Sequence, residues 1–437
     1  MSNSSSNAAR AAFRYPNFRD YMTARFLAAV SSEMQALAVA WQIFGITHRP
    51  LDLGLVGLAQ FLPGVFLFLI AGHAADRFPR QRILQVCFVA FSLCSLLLLG
   101  LAMHGIRSVY PVYAVLLLNG TVRAFNGPAW QAFLPMLVPE EHFPNAVAWG
   151  SSIFQAAIVV GPMIGGLIYG LAGSPIPVYA GAAIAYLAAL ALISMIRVKS
   201  IQRPREAASL RIVMMGLRYI WQNKLILGAI SLDMFAVLLG GAVALLPVYA
   251  KEILNAGAIG LGILRSAPGV GAVLTAIVVA HWPLRRKAGA RMLWCVFGFG
   301  LFTVVFGLSR SLPLALGALL LVGACDMVSV IVRHTLVQLG TPDEMRGRVS
   351  AVNMIFIGAS NEVGQFESGL TAQWFGTVPA VIAGGVGTIA IVALWAWLFP
   401  ALRRVDELSR GQGGRGLGPG AGGQGSTALR ARDSSGT

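Results

Sequence analysis

Charge is what this sequence lacks. Of 437 residues, 11% are Asp, Glu, Lys or Arg and 57% are hydrophobic, against about 25% and about 45–50% in an ordinary soluble domain. Too few charged side chains remain to clothe a water-facing surface, and the mean hydropathy of +0.72 agrees. Acids are scarcer than bases, 17 against 33. Cysteine is scarce too: Cys87, Cys94, Cys295 and Cys325 all lie in apolar runs, where they read as small hydrophobes; a secreted disulfide scaffold is excluded. The six histidines are scattered, with no HExxH and no paired-aspartate metal motif, so neither a metal site nor a cofactor is expected. A phosphate loop of the form G-x-x-x-x-G-K-[ST] is missing, which argues against an ATP-driven pump. The sequence has no repeated filter segment of the kind a channel needs. The strict alternation of barrel strands is absent as well, which leaves helices as the spanning element.

What the sequence has instead is apolar runs of about 20 residues, the length that crosses a hydrocarbon layer roughly 30 Å thick. They predict helices near 23–46, 52–73, 83–103, 109–130, 144–171 and 175–196. A second set is expected near 225–250, 256–281, 288–308, 311–333, 346–372 and 377–400. The expected fold is an all-α membrane protein of twelve transmembrane helices in two pseudo-symmetric six-helix bundles, 13–196 and 225–400. Residues 1–12 have no apolar stretch of a signal peptide and read as a disordered tail; 401–437, rich in Gly, reads likewise. Between the bundles, 197–224 holds seven basic residues and one acid. Leu210, Val213, Met214, Leu217 and Trp221 recur there at helical spacing, with Arg211 and Arg218 among them, so the segment reads either as an interfacial helix or as a solvated linker.

Charge asymmetry predicts the orientation. With both ends cytoplasmic, the inward segments hold 27 of the 33 Lys and Arg, and the outward loops hold only Arg49, Arg107, Lys251 and Arg310. That bias is the positive-inside pattern. The net charge of +16 therefore reflects topology and attraction to anionic lipid. Nucleic acid is a poor partner, because the positive charge is spread over loops and tails rather than gathered on one basic face.

The chain also repeats itself. At an offset of 203, Pro139-Glu140-Glu141 aligns with Pro342-Asp343-Glu344, Ala148 with Ala351, Gly161 with Gly364 and Gly166 with Gly369. Two like bundles are an architecture for alternating access, one half rocking against the other around a central site.

Two motifs carry more. The stretch Gly72-His73-Ala74-Ala75-Asp76-Arg77-Phe78-Pro79-Arg80-Gln81-Arg82 reads as a tight inner turn where one acid and three arginines crowd together, the acid suited to a helix N-terminus and the arginines to carboxylates or lipid phosphates. In the fifth predicted helix, Gly161-Pro162-Met163-Ile164-Gly165-Gly166, followed by Gly170, leaves flat strips for close helix approach, and the proline bends the helix. The first motif resembles the loop 2–3 signature G-x-x-x-D-R-x-x-R of the major facilitator superfamily, on which Gly72, Asp76, Arg77, Arg80 and Arg82 would form a gate latch. Pro79 stands where that signature usually has Gly, and Gln81 where it has a base. Gly161, Pro162, Gly165 and Gly166 resemble the antiporter motif of its drug-exporting members. Phe18-Arg19-Asp20-Tyr21, Gly54-Leu55-Val56-Gly57-Leu58-Ala59-Gln60 and Pro342-Asp343-Glu344-Met345-Arg346-Gly347-Arg348-Val349 are similar to the drug and siderophore exporter branch, over about 13–400.

Ionised groups at mid-bilayer cost roughly 2.5–3.5 kcal/mol on translocon scales, so each needs a reason. Away from the span ends, the candidates are Glu33, Arg123, Asp233, Arg265, Asp326, Glu362 and Glu367. The resemblance implies that helices 1, 4, 7 and 10 line a central cavity, which would bring Glu33, Arg123, Asp233 and Asp326 to it. Arg123 and Asp326 differ by the repeat offset, and are expected to pair across the pseudo-twofold axis. On the eleventh helix Asn353, Ser360 and Glu367 form one polar stripe, Asn361, Gln365 and Ser368 a second, and Glu362 points about 140° from Glu367 at 100° per residue. Proton coupling through Glu33 or Asp233 is the expected use, since a carboxylate can pass between a proton and an arginine or substrate.

These observations point to a monomeric secondary exporter of small amphipathic molecules in a bacterial inner membrane. Uptake is the rival within transport, and a membrane-embedded lipid enzyme the rival outside it. Three acids and one arginine favour a cationic or neutral solute, whereas the siderophore resemblance favours an acidic one; the sequence leaves both open.

Overall fold

The computed structural model describes residues 11–105, 108–198, 210–282 and 287–405, without the side chains of 68, 69, 76 and 210–212. Its first six rods are α1 (Pro16–Thr47), α2 (Pro50–Arg77), α3 (Arg80–His104), α4 (Tyr110–Phe133), α5 (Phe143–Ala172) and α6 (Ile176–Met195). The second six are α7 (Lys224–Gly240, continued by short irregular turns to Ile253), α8 (Gly257–His281), α9 (Ala288–Leu308), α10 (Leu312–Gly340), α11 (Asp343–Phe375) and α12 (Thr377–Leu398). Proline stands in the first turn of α1, α2, α4, α5, α6 and α10, where its missing N–H costs nothing and its fixed φ suits the helix. Gly173 ends α5 at φ +64°, a left-handed cap that a side chain would strain. Nine of the helices are long and apolar enough to cross a membrane, among the described residues. α1, α4 and α11 are as long but less apolar, and they are the rods that carry Glu33, Arg123 and Glu362.

The packing of the rods is itself a repeat. In the first bundle α1 packs on α5 and α6, α2 on α4, and α3 on α4 and α6. In the second, α7 packs on α11 and α12, α8 on α10, and α9 on α10 and α12. Adding six to each helix number turns one set into the other. The bundles meet along two seams, α2 against α11 and α5 against α8, which the same rule exchanges.

The apolar cores show where the bundles close. Leu37, Phe44 and Leu53 of the first bundle share one buried cluster with Leu245, Tyr249, Leu264, Phe306 and Ala372 of the second. This joint core lies at the end that holds residues 47–50, 253–257 and 375–377. At the opposite end, which holds residues 11–16 and 398–405, Phe18, Tyr21, Phe88, Trp130 and Tyr186 form a cluster of the first bundle alone, and Leu232, Met292, Val332 and Trp395 one of the second.

Several boundaries differ from those expected: α1 begins at Pro16 rather than near 23, and α10 runs to Gly340 rather than near 333. Ala11 and Ala12 are buried, and the Ala12 N–H donates to Asn145 Oδ1 at 3.2 Å, so the packed chain begins before residue 13; residues 1–10 lie outside the described set. Pro400–Arg403 form a further helical turn, Leu402 is buried, and the Gly289 N–H donates to the Val405 carbonyl at 3.3 Å; the rest of the expected tail, 406–437, lies outside. The latch motif is not a loop: Gly72 to Arg77 finish α2, Arg80 to Arg82 begin α3, and only Phe78 and Pro79 turn between them, since proline ends one helix and nucleates the next. The seventh helix is not continuous to 250. It breaks at Gly241 (φ −73°, ψ 62°) and proceeds through a 3-10 turn, Ala242–Leu245, to a π turn, Tyr249–Ile253.

Of the linker, 199–209 lie outside the described residues, and Leu210–Gln222 is a helix. It rides on the second bundle. Ile220 is buried with Ile226, Val349 and Val352, and the Tyr219 hydroxyl donates to the Gly340 carbonyl at 3.0 Å. Met214, Met215 and Trp221 stay exposed.

Candidate functional site

Glycine brings the bundles together. A Cβ on Gly166 of α5 would lie 2.8 Å from the Cα of Gly262 on α8, and one on Gly369 of α11 would lie 3.0 Å from the Cα of Gly54 on α2. Backbones approach this closely only where side chains are absent. Gly161 and Gly364 work inside the bundles: a Cβ on the first would lie 2.6 Å from Glu33 Cβ of α1, one on the second 2.9 Å from the Leu238 carbonyl of α7. Thus the glycine pairs related by the 203-residue offset do matching jobs. Gly165 lets α5 ride against Met34 of α1, and Pro162 presents its carbonyl to Gly262. The α5 motif is therefore the contact surface of a seam.

Just below these contacts lie four charged side chains, two from each bundle. Arg265 Nη2 of α8 is 3.5 Å from Glu33 Oε2 of α1. Arg123 Nη1 of α4 is 3.9 Å from Glu362 Oε1 of α11 and donates at 3.0 Å to Gln60 Oε1 of α2. Each ion pair joins the bundles, and the signs are exchanged: acid to base in one, base to acid in the other. The pairs are long and partly open to solvent, with side-chain exposures of 23% and 29% for Arg265 and Glu33 and of 48% and 18% for Arg123 and Glu362. Gln365 Nε2 donates to Glu362 Oε2 at 3.3 Å, and the Gly57 backbone lies against both side chains.

Asp233 and Asp326 are not in this group. Asp233 Oδ2 receives a 2.7 Å bond from Arg333 Nη1, with side-chain exposures of 6% and 4%, inside the second bundle. Asp326 borders a small hollow there with Asp233, Ser329, Val296 and Phe299. The expected pairing of Arg123 with Asp326 is replaced by Arg123 with Glu362 and Gln60. α4 faces α11 across the bundle boundary, whereas α10 turns its acid toward α7 and α9. The expected excess of acid at the boundary goes with it, since Glu33 and Glu362 balance Arg123 and Arg265. Glu367 keeps to its own helix, accepting from Thr371 Oγ1 at 2.7 Å.

Among the described residues none of Arg77, Arg80 and Arg82 forms an ion pair. Arg77 and Arg82 are exposed, Arg80 Nη1 approaches Met136 Sδ at 3.5 Å, and Gly72 sits in the last turns of α2; the side chain of Asp76 lies outside the described set. Gln81, which replaces a base, ties α3 to the end of α6 through the carbonyls of Ile193 and Ile196, both at 2.8 Å.

Three participants were missed in the sequence. Arg333 closes a predicted span and reads as a boundary charge; its place seven residues after Asp326, two helical turns along the same face, was the available signal. Gln60, uncharged, gave none beyond its position. Lys251, which covers Trp41 and Phe44 at 5.8 and 5.9 Å, seals the closed end beside the His48 Nδ1–Glu252 Oε1 contact of 3.5 Å.

Two similar bundles, joined by glycine seams at one end and by exchanged ion pairs beneath, define a membrane transporter of the major facilitator superfamily, not an enzyme. Within it the chain belongs to the family described as transmembrane secretion effector, whose profile matches residues 7–412. The chain is 27% identical over 399 residues to the enterobactin exporter EntS of Shigella boydii serotype 4 (strain Sb227), covering 90% of this chain and 94% of that one. The same figures hold for EntS of Escherichia coli O139:H28 (strain E24377A / ETEC). Similar solved structures include the nucleoside transporter NupG (TM-score 0.68, 14% identity, 89% of this chain and 99% of that one). A POT peptide transporter gives a TM-score of 0.72 at 9% identity, over 90% of this chain and 96% of that one. At such identities these structures speak for the fold alone.

Proposed function

We propose that this chain exports small amphipathic molecules of the drug or siderophore class across the bacterial plasma membrane by alternating access, as a monomer with both termini cytoplasmic and with protons as the counter-ion. The observation that carries this reading is the set of reciprocal ion pairs, Glu33–Arg265 and Arg123–Glu362, beneath two bundles that, among the described residues, share a core at one end only. Long, half-open pairs between moving bodies can exchange partners with a solute. In this orientation the separated end faces the cytoplasm, ready to load. The basic linker, the tails and Arg77, Arg80 and Arg82 then meet the anionic inner leaflet. Export follows the names of the similar enterobactin exporters and the Gly-Pro seam of α5. The coupling proton would travel on an embedded carboxylate, for which Glu33, Asp233 and Asp326 are the candidates.

The test is accumulation of a panel of dyes, drugs and siderophores in cells with and without the protein, each with and without a protonophore. Lower accumulation that the protonophore abolishes is expected. Higher accumulation would make the chain an uptake permease, and an unchanged profile across the panel would remove the substrate class.

A further inference from the structure

The second bundle encloses a charged cluster that the solute site does not use. Asp233 of α7 and Asp326 of α10 border the same hollow of about 10 Å³, with Ser329 beside them, roughly the room of one water. Arg333, two turns beyond Asp326, bonds Asp233 through Nη1; its buried Nε has no acceptor. Other titratable groups on the helices packed here are Cys325 and His334 of α10, Cys295 and the exposed Arg291 of α9, and Glu362 and Glu367 of α11, which are engaged with Arg123 and Thr371; α12 has none, and Arg265 of the adjoining α8 is engaged with Glu33. Two carboxylates and one guanidinium sum to −1, and an uncompensated charge away from water costs several kcal/mol. One positive charge has to join them.

The walls decide which. Apart from the two acids and Ser329, the hollow is lined by Ala236, Val237, Val296, Phe299 and Cys325. A hard metal cation needs a shell of about six oxygens; beyond the two carboxylates, one of them held by Arg333, the hollow adds a single hydroxyl, and carbon and one thiol line the rest. A proton needs one carboxylate. The hollow also touches the break in α7: Phe299 lines it and packs on Gly240, where a Cβ would lie 2.5 Å from the Phe299 ring, and the next residue, Gly241, leaves the helix. Beyond that break the chain enters the joint core of the closed end. Discontinuous helices are where transporters place ion sites.

We infer that Asp326, with Asp233, Ser329 and Arg333, forms a single-proton site inside the second bundle, separate from the boundary quartet, and that it sets the α7 break. The proton adds to the Asp326 carboxylate, bringing the cluster to neutrality, and leaves it as carboxylate. This assignment rests on the exporter reading for its role in coupling, though its occupancy is measurable without any substrate.

Infrared pH-difference spectra of the purified full chain in nanodiscs test the site itself. Over the common signal of the exposed acids, wild type, E33Q and E362Q are expected to share on acidification a carboxylic-acid component that D326N lacks. Its persistence in D326N, or its displacement by Na⁺ in place of K⁺ at fixed pH, overturns the assignment. In proteoliposomes, with a compound that wild type carries, D326N should lose substrate-driven proton movement while keeping exchange of that compound. Proton movement retained in D326N, or absent from an actively transporting wild type, overturns the coupling role. A wild type that carries nothing from the panel fails the exporter reading instead, and leaves the infrared result standing.

Discussion

The same chemistry, a carboxylate against a guanidinium, is built in two ways in this molecule. Asp233–Arg333 is short, enclosed and confined to one bundle, 2.7 Å with both side chains almost fully buried. Glu33–Arg265 and Arg123–Glu362 are 3.5 and 3.9 Å, partly solvated, and each reaches from one bundle to the other. Water at the boundary weakens the Coulomb term and lowers the cost of separation, so such pairs can be made and broken in a working cycle. The enclosed pair has no such freedom, because separating it would strand charge where nothing solvates it. Burial, not residue type, divides the contacts that move from those that hold.

Breaking the enclosed pair should do most harm. R333L leaves Asp233 buried without a partner, a loss of about 3–5 kcal/mol, read as a collapse of the melting temperature in detergent; an unchanged melting curve would mean that the cluster is already wet. Next come the seams. G262V puts a side chain 2.6 Å from the Pro162 carbonyl, overpacking worth about 1–3 kcal/mol, and should open the sealed end. Thiol labelling of F44C in a cysteine-free background should accelerate. G54V, on the matching seam, should have the same effect, and a difference between the two would show that the seams are not equivalent. E33Q or E362Q should change global stability by less than about 1 kcal/mol yet abolish transport, and the swapped pair E33R/R265E should recover part of it. A swap no better than its single variants would separate these residues from the bundle contact. The smallest effect is expected of H48A, whose contact with Glu252 is exposed at 60% and 48%; about 0.5 kcal/mol or less is typical of such sites, read as a barely altered F44C labelling rate.

Much of this was legible in the order of residues. Apolar runs placed most rod ends to within about four residues, because a helix in lipid must satisfy its backbone internally; α1 begins seven residues before its expected start, α10 runs seven beyond its expected end, and α7 breaks inside its run. The 203-residue repeat selected Gly161 with Gly364 and Gly166 with Gly369, and both pairs stand at close helix approaches. What could not be read was direction around each helix. Nearly every face of these rods is apolar, so the usual contrast between core and surface is missing, and Asp326 and Arg123 share a register but not a facing. The break of α7 at Gly241 was hidden for the same reason: the residues on either side are as apolar as a continuous helix requires.

The sequence by itself determined the class of solvent, the approximate rods and the duplication, since each follows from hydropathy and periodicity along the chain. Tertiary structure alone decided which acid meets which arginine, which glycines form seams and which end is shut. Those outcomes depend on how the rods are rotated and set against one another, and a one-dimensional pattern with lipid on one side and protein on the other carries almost no record of that angle.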